Sequence, residues 1–297
     1  MNLKHKLVIT AASLLLGVSA IAQTNDPPVN ANKGVNDRWK PSLTADGVID
    51  KVEHVNRLIE TPRIREIDVA WKRRVWRVID VRQKANQAFV YEGDEFTGGG
   101  AFIEILLNGI KTGAVKAYSK EDDQFSTELD LEQFNSMVAG TIDTVAVEDP
   151  NTYEVTYQIT VRPFDVNSVT KYRVKEDWIQ DRNRGKMVVE IVGIAPLQAI
   201  RNPESGEYLG DAALFWLYYP DIRNYLGKFE VYNPRNDVAR MTWADYFDMR
   251  YFSSYVYKTS ANNVNNNEFE RNSVRGLEDG QRVMDEIYNI SMEMWEN

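Results

Sequence analysis

Apolar and polar residues recur with different periods along this chain, and these periods predict a mixture of helices and strands. Within residues 64–85, apolar side chains recur every three or four positions, which predicts one helix running to about residue 85. Similar spacing predicts helices over 101–110 and 130–138. Tyr153–Val161 alternates strictly between apolar and polar residues, which is typical of a strand with one buried face.

Further apolar runs extend this mixture along the chain. Lys171–Ile179 and Met187–Ile194 lie on either side of a turn-forming segment and predict a β-hairpin. Short strands are also predicted over Val115–Ser119 and over Leu214–Tyr219, where Pro220 ends the run. We therefore predict an α+β fold, in which elements of an antiparallel sheet pack against several helices.

Aromatic residues are concentrated in the C-terminal half, within residues 212–260. Thr242 is the predicted N-cap of a helix over Trp243–Tyr257. Because aromatic rings combine a large apolar area with polar tips, such a segment belongs to a core or to a protein interface. The interface candidates from this segment are Trp243, Tyr246 and Tyr251.

The two ends of the chain differ in composition from the middle. Residues 1–22 have a basic start, an apolar run and an Ala20-Ile21-Ala22 site, which predicts a secretory signal peptide cleaved after Ala22. Residues 23–47 are rich in Pro, Asn and Gly and predict an extended arm, in which Trp39 is a candidate anchor. Residues 48–260 are predicted to form the core, either as one domain or as two lobes split near residue 150. An Asn-rich linker over 261–272 and a C-terminal helix over 273–297 follow.

The chain has 297 residues and no cysteine. It therefore forms no disulfide and lacks the lipid-bearing residue of a lipoprotein signal, so any lipid attachment has to come from a partner. Together with the signal peptide, this predicts a protein of the periplasm of a Gram-negative bacterium. The formal net charge of -9 argues against nucleic acid as a general partner, because a phosphate backbone requires a basic surface.

The charges are unevenly distributed along the sequence. Residues 63–84 are strongly basic and residues 120–154 are strongly acidic. One interpretation is that both are solvated faces. The other is that complementary charges orient neighbouring copies or partners, since charge contributes register and specificity. Under the second interpretation, Arg73, Arg74 and Arg77 contact acidic residues of a neighbour.

Few residues suit catalysis. His54 is the one histidine that remains after removal of the signal peptide, which excludes His-based triads and His-rich metal sites. The acidic clusters that could supply two carboxylates are Asp94/Glu95 with Glu104, and Glu176 with Asp177. Adjacent residues of a strand face opposite sides, however, and no spacing marks an acid–base pair. We predict no catalytic, cofactor-binding or metal-binding residue, and hence no enzyme.

One short motif indicates a modification. Asp143-Thr144-Val145 resembles the O-glycosylation signal of Bacteroidetes periplasmic proteins, which makes Thr144 a candidate site. A three-residue pattern also occurs by chance, so the unmodified chain is the alternative. An intact mass equal to that of the bare mature chain would exclude the modification.

Three segments have a distinctive sequence. They are Lys72–Arg82 (KRRVWRVIDVR), Tyr219–Asn236 (containing YPDIRNYLG and EVYNPRN) and Met241–Tyr255 (containing MTW and RYFSSY). Together they resemble the GldN/PorN family of the gliding motility and type IX secretion machinery of Bacteroidetes. The resemblance spans most of the mature chain in order, and the signal peptide and the missing lipidation cysteine agree with it.

The resemblance implies a periplasmic, non-enzymatic protein that assembles with a GldK/PorK-type lipoprotein into a large ring under the outer membrane. It also implies contact with the periplasmic part of a GldL/GldM-type motor complex, and association with the outer membrane through the lipoprotein. A ring requires head-to-tail contacts between copies, for which the charged and aromatic segments are candidates. We further expect the arm around Trp39 to dock on the lipoprotein.

Two other functions fit some of the same features. Clustered Trp and Tyr residues with surplus carboxylates also suit a periplasmic carbohydrate-binding or carbohydrate-active protein. A chaperone-like carrier of secreted proteins would differ from a ring component by forming transient complexes. No two acidic residues have a spacing that marks an acid–base pair, which argues against a carbohydrate-active enzyme.

Overall fold

The fold is seen in a computed structural model of the chain. It describes residues 58–59, 62–91, 100–121, 123–138, 141–148, 155–162, 164–202, 205–233, 236, 241–261, 263, 265, 267–269 and 273–296. Within 141–148, 155–162 and 294–296 the description is limited to the backbone. The predicted signal peptide and the predicted arm, including Trp39, lie outside the described residues.

Helices and strands are mixed along the described chain. The strands are β1 (Val69–Asp80), β2 (Ala117–Tyr118), β3 (Thr141–Glu148), β4 (Val155–Arg162), β5 (Val169–Asp181), β6 (Lys186–Arg201), β7 (Tyr208–Ala213), β8 (Trp216–Tyr218), β9 (Glu230–Val231), β10 (Met241–Thr242) and β11 (Tyr255–Thr259). The α-helices are α1 (Phe102–Lys111), α2 (Leu131–Val138), α3 (Tyr219–Leu226), α4 (Trp243–Asp248) and α5 (Val274–Glu296). Short 3-10 helices cover Glu66–Asp68, Lys84–Phe89 and Val166–Ser168.

Seven strands form one antiparallel sheet. Its order is β11-β1-β5-β6-β8-β2, and β7 pairs with β6 beside β8. Strands from both sides of residue 150 therefore join in the same sheet. Two further pairs, β3 with β4 and β9 with β10, form separate two-stranded sheets. An antiparallel sheet with several helices confirms the predicted α+β class.

The predicted helix over residues 64–85 is wrong, because strand β1 occupies most of that range. β1 lies inside the sheet between β11 and β5, and its two faces are both partly apolar. Val75 and Ile79 are buried on one face, whereas Trp76 and Val78 are buried on the other. Apolar residues on both faces remove the strict alternation of a half-buried strand and imitate the spacing of a helix.

The predicted helix over Trp243–Tyr257 is correct in its first half alone. Thr242 caps α4 through a capping box with Asp245, as its position predicts. The helix ends at Asp248, and Arg250 then adopts a positive φ of 57°. The following strand β11 pairs with β1, a non-local partner that the local pattern does not reveal.

Several other predictions are confirmed. The helices over 101–110 and 130–138 correspond to α1 and α2, and the predicted hairpin corresponds to β5 and β6. The strands predicted near 115–119, 153–161 and 214–219 correspond to β2, β4 and β8. A C-terminal helix is present as α5. Strand β3 and helix α3 were not predicted, and Pro220 lies in the first turn of α3, where a proline is tolerated.

The main core lies on one face of the sheet, under α1, α3 and α4. Its centre is a group of aromatic rings, in which Phe102 lies 4.4 Å from Trp243 and 5.3 Å from Phe89 between ring centroids. Helix α5 covers the β1–β11 part of the sheet, where Ile287 packs with Val75 and Val256. Full burial of one such apolar side chain contributes about 1.5–3 kcal/mol. No helix among the described residues is long and apolar enough to cross a membrane.

Candidate partner-binding surface

The arginines proposed from the sequence lie on β1, where alternate residues face opposite sides of the sheet. Arg74 lies opposite Asp177 of β5 and donates to both carboxylate oxygens, at 2.6 and 2.8 Å. Lys72 Nζ lies 2.7 Å from the same carboxylate. Burial raises the pKa of Asp177, but hydrogen bonds from Arg74 and Lys72 outweigh it and hold the pKa below its ordinary value. Arg74 thus has an acidic partner in its own chain.

The other two arginines join β1 to neighbouring elements. Arg73 Nη1 lies 2.7 Å from Glu286 Oε2 of α5. Arg77 donates to Ser254 Oγ at 2.8 Å and to its carbonyl oxygen at 3.1 Å, and its Nη1 lies 3.0 Å from Met284 Sδ. Burial lowers the pKa of Arg77. All three arginines therefore have intramolecular contacts. Their contact with acidic residues of a neighbouring copy stays a prediction.

Asp123, a residue of the acidic segment, contacts strands β1 and β5 of its own chain. Asp123 accepts a hydrogen bond from Trp76 Nε1 at 2.7 Å, and its main-chain oxygen accepts one from Lys175. Lys258 Nζ lies 4.3 Å from the centroid of the Trp76 ring. Burial lowers the pKa of both lysines. Asp123 of the acidic segment therefore has partners within its own chain.

The carboxylates of Glu176 and Asp177 belong to opposite faces of β5. Glu176 is fully buried, and its Oε1 accepts a hydrogen bond from Arg250 Nη1 at 2.8 Å. Each carboxylate thus has its own cationic partner, and the two do not form an acid–base pair. In the other acidic cluster, Asp94 and Glu95 lie outside the described residues. Within the described part of the chain, no group of three His, Asp or Glu residues is arranged to hold a metal ion.

Two of the three aromatic interface candidates are core residues. Trp243 is 1% exposed and lies 5.1 Å from Phe89 between ring centroids. Tyr246 is also buried, and burial raises its pKa to about 12. Their rings are enclosed by the chain's own aromatic cluster, so the structure reassigns both from interface to core. Tyr251 is half-exposed and stays on the surface.

The remaining candidates lie where few contacts are described. Trp39 falls outside the described residues. Thr144 lies in the middle of β3, opposite Ile159 of β4. Its glycosylation stays a prediction.

A cleft of about 510 Å³ lies between β7 and the first turn of α5, and we call it the edge cleft. Strands β1 and β5 line it with alternate residues, and therefore with one face of the sheet. Strands β7 and β11 line it with consecutive residues. The lining residues from these four strands are Val78 and Asp80, Lys171 and Arg173, Tyr208–Asp211, and Tyr255–Tyr257.

Strand β7 contributes four consecutive residues, Tyr208–Asp211, to the lining of the edge cleft. Among the described residues, β7 pairs with β6 alone, so its outer edge carries unpaired backbone groups. Leu209 on β7 is 64% exposed, and Val274 and Leu277 on α5 are also largely exposed. The cleft therefore combines an unpaired strand edge with an apolar rim.

The polar floor of the edge cleft is made of ion pairs. Lys171 Nζ lies 2.6 Å from Asp211 Oδ2, and both side chains are largely buried. Burial lowers the pKa of Lys171, but its hydrogen bond to Asp211 outweighs this and raises the pKa. Arg82 Nη2 lies 2.7 Å from Asp80 Oδ2. Because these charges are already paired, the cleft suits a ligand with little net charge.

A third ion pair lies on the polar floor of the edge cleft. Arg173 Nη2 lies 3.2 Å from Glu268 Oε1, and its guanidinium lies 4.9 Å from the centroid of the Tyr257 ring. Two buried atoms, Arg173 Nε and Asp211 Oδ1, have no hydrogen-bond partner in the described structure. One is a donor and the other is an acceptor. A neutral peptide group offers the complementary acceptor and donor.

A second and more open cleft of about 890 Å³ lies between the start of α1 and Phe164–Asn167. Tyr91 and Tyr232 stack at its margin with ring centroids 4.5 Å apart. Both rings are partly exposed. Tyr232 thus provides a surface aromatic residue from the segment 212–260, in contrast to the buried Trp243.

A comparison with models of known protein families identifies the chain's relatives. The model described as gliding motility associated protein GldN matches residues 64–296. The chain belongs to the GldN family. The GldN match begins before β1 and ends at the last residue of α5, so it includes the whole main sheet and the residues that line the edge cleft. A search of curated proteins finds no match.

The residues of the edge cleft in this GldN family member were not predicted from the sequence. Tyr208 and Leu209 are adjacent apolar residues between Gly206 and Gly210, a signal of an exposed strand. Leu277 and Val274 precede the apolar stripe that buries Ile287. Both signals concern exposed apolar residues, and single exposed apolar residues are common on protein surfaces. They indicate a binding surface because the fold brings β7 and α5 to the same cleft.

Proposed function

We propose that this chain is a non-enzymatic structural component of the gliding motility and type IX protein secretion apparatus. It lies in the periplasm at the inner face of the outer membrane, where it assembles with a GldK/PorK-type lipoprotein into a ring. The ring contacts the periplasmic part of a GldL/GldM-type motor complex. The observation that carries the proposal is the GldN family match over residues 64–296.

Features of the described surface support an assembly role. The edge cleft presents an unpaired strand edge and exposed apolar side chains, both of which favour protein–protein association. The expected signal peptide supports export, and attachment through a lipoprotein partner agrees with a sequence that contains no cysteine. The separate ion pairs of Glu176 and Asp177 speak against hydrolysis by two cooperating carboxylates.

The test is purification of the tagged mature protein from native cell envelopes, followed by electron microscopy and quantification of the copurified proteins. We expect large rings that contain a roughly equimolar lipoprotein. Envelopes from cells that express the untagged protein provide the control for adsorption to the resin.

A soluble monomer without a stoichiometric partner would contradict the proposal. The purified protein would then be tested against a panel of glycans, because the tyrosines of the edge cleft also suit a sugar ligand. Saturable glycan binding by a monomer would favour the carbohydrate-binding alternative.

A further inference from the structure

The edge cleft lies on the face of the main sheet that is opposite to the main core. On β5, the cleft residues Lys171 and Arg173 alternate with Tyr172, which is buried in the main core. On β1, the cleft residue Val78 likewise precedes Ile79 of the main core. The side chains that β1 and β5 contribute to the cleft therefore lie outside the main core.

Three tyrosines from two strands line the edge cleft. They are Tyr208 of β7 and Tyr255 and Tyr257 of β11. Tyr208 is 40% exposed. Burial raises the pKa of Tyr208 and the pKa of Tyr255, so both hydroxyls stay protonated at neutral pH. A tyrosine offers an apolar ring face and a hydroxyl that forms hydrogen bonds, and a sugar ring offers the matching C–H groups and hydroxyls.

Each cation that lines the edge cleft has a carboxylate partner. The pairs are Lys171 with Asp211, Arg82 with Asp80, and Arg173 with Glu268. A charged ligand would have to compete with one of these pairs, and it would leave the displaced charge without its partner. The cleft therefore favours a ligand that is polar and neutral.

Two lining residues keep hydrogen-bonding capacity that the described part of the chain does not use. Arg173 Nε is an unpartnered donor and Asp211 Oδ1 is an unpartnered acceptor. Buried polar atoms of proteins normally have partners, and these two can gain theirs from a ligand. An acetamido group carries a carbonyl oxygen that accepts and an N–H that donates. The complementary ligand therefore contains an amide as well as ring faces that match the tyrosines.

The size and the rim of the edge cleft also suit a sugar. Its volume of about 510 Å³ lies within the range of roughly 300–1,000 Å³ that is typical of small-molecule sites. Leu209 and Val274 are exposed at the cleft and add apolar surface against which C–H groups can pack. A short neutral peptide offers the amide without a sugar ring, and it is therefore the competing ligand in the test.

We propose that the edge cleft binds a neutral saccharide that carries acetamido groups. Tyr208 and Tyr255 pack against the C–H face of the sugar ring. Arg173 donates to the acetamido carbonyl oxygen, and Asp211 accepts a hydrogen bond from the acetamido N–H. This inference goes beyond the proposed function, because it concerns a site within one copy of the chain and does not require a ring.

The test is isothermal titration calorimetry of the purified mature protein with triacetylchitotriose, a neutral trisaccharide of N-acetylglucosamine. Maltotriose provides sugar rings without acetamido groups, and N-acetylalanine methylamide provides amides without a sugar ring. We expect saturable binding of triacetylchitotriose. The other two ligands should bind more weakly by about tenfold or more, because each lacks one set of the proposed contacts.

Two variants locate the site. Tyr208→Ala removes a ring from the cleft, and its matched control is Tyr288→Ala, which removes an exposed ring from α5 outside the cleft. Arg173→Lys keeps a positive charge for Glu268 but removes the Nε donor. Binding of triacetylchitotriose should weaken by about tenfold or more in Tyr208→Ala and in Arg173→Lys, and should not change in Tyr288→Ala. The melting temperatures of the two tyrosine variants should match that of the natural protein.

The outcomes separate this inference from the proposed function. No saturable binding of triacetylchitotriose would overturn it, and so would equal or tighter binding of the peptide. Binding that persists unchanged in Tyr208→Ala and in Arg173→Lys would also overturn it, because the saccharide would then bind elsewhere. These results leave the ring proposal standing, since rings are observed separately in envelopes. Conversely, specific binding by a protein that forms no rings would support the site and contradict the ring.

Discussion

Charged residues on β1 and β5 stabilise the sheet through contacts between directly opposed side chains. Asp177 is the centre of one such group, because Arg74 and Lys72 approach the same carboxylate from β1. The carboxylate is largely buried, so its charge depends on these two cations for the hydrogen bonds that water would otherwise supply. The basic residues Lys72 and Arg74 of β1 therefore stabilise the folded chain itself, without a partner protein.

Asp177→Asn should lower the free energy of unfolding by roughly 2 kcal/mol, since hydrogen bonds to charged groups contribute about 1.5–3 kcal/mol. Urea unfolding followed by circular dichroism measures this loss. Asp279→Asn is the matched control, because Asp279 forms an exposed pair with Arg282, and we expect a loss below about 1 kcal/mol. Equal losses in the two variants would contradict the role of burial at Asp177.

The same carboxylate predicts a pH dependence of stability. The folded protein holds the pKa of Asp177 below its ordinary value of 3.8. The stabilisation is therefore complete above pH 3.8 and is lost as the pH falls through the folded pKa. The difference in urea midpoint between the natural protein and Asp177→Asn should be large at about pH 6 and should decrease as the pH falls below 3.8. A difference that does not change with pH would contradict this assignment.

At the scale of elements, α5 lies against the edge strand β11. Gly280 marks their close approach, because a Cβ atom at this position would lie 2.4 Å from the carbonyl oxygen of Val256. A backbone atom in the middle of a paired strand cannot move aside easily. Glycine at this position is thus explained by helix packing, although it is unfavourable within an isolated helix.

Gly280→Ala should destabilise the protein by about 1–3 kcal/mol, because the added methyl group separates α5 from β11. In a helix without this contact, the same substitution would stabilise by about 1 kcal/mol. Thermal unfolding measures the sign of the effect. Asn289→Ala, at an exposed position of the same helix, is the control and should stabilise slightly. A higher melting temperature for Gly280→Ala would contradict the described packing.

Helices and strands were predicted correctly where their own local sequence determines them, and wrongly where contacts with distant residues do. Helix α1 buries seven of its ten residues beneath the sheet and was predicted from its compact apolar run. Strand β1 was mistaken for a helix because both of its faces are partly buried. Strand β11 was mistaken for the end of α4, since its pairing with β1 joins residues that are far apart in sequence.

At the scale of the whole molecule, intramolecular ion pairs connect parts of the chain that looked like independent charged surfaces. Arg73 connects β1 to α5 through Glu286, over more than two hundred residues of sequence. A charge reversal at Arg73 therefore breaks a tertiary contact even where no partner protein is bound. A loss of ring assembly in that variant alone would not identify an interface.

An exchange of charges resolves this ambiguity. Arg73→Glu should lower the free energy of unfolding by about 1 kcal/mol, and the double variant Arg73→Glu/Glu286→Arg should recover most of it. Ring number in purified envelopes should follow the same order, because the pair acts within one chain. Recovery of stability without recovery of rings would instead show that Arg73 also contacts a neighbouring copy.

The sequence by itself determined the family, the α+β class and the elements whose apolar pattern is local, including α1, α2 and the β5–β6 hairpin. The tertiary structure decided which aromatic and charged residues are available to a partner. Trp243 and Tyr246 became core residues because α4 packs over the sheet, and Arg74 and Arg77 gained partners because β1 lies inside it. Leu209 stayed exposed on β7, an edge strand of the described sheet. Burial and pairing are properties of non-local contacts, whereas the periodicity that predicts an element is local.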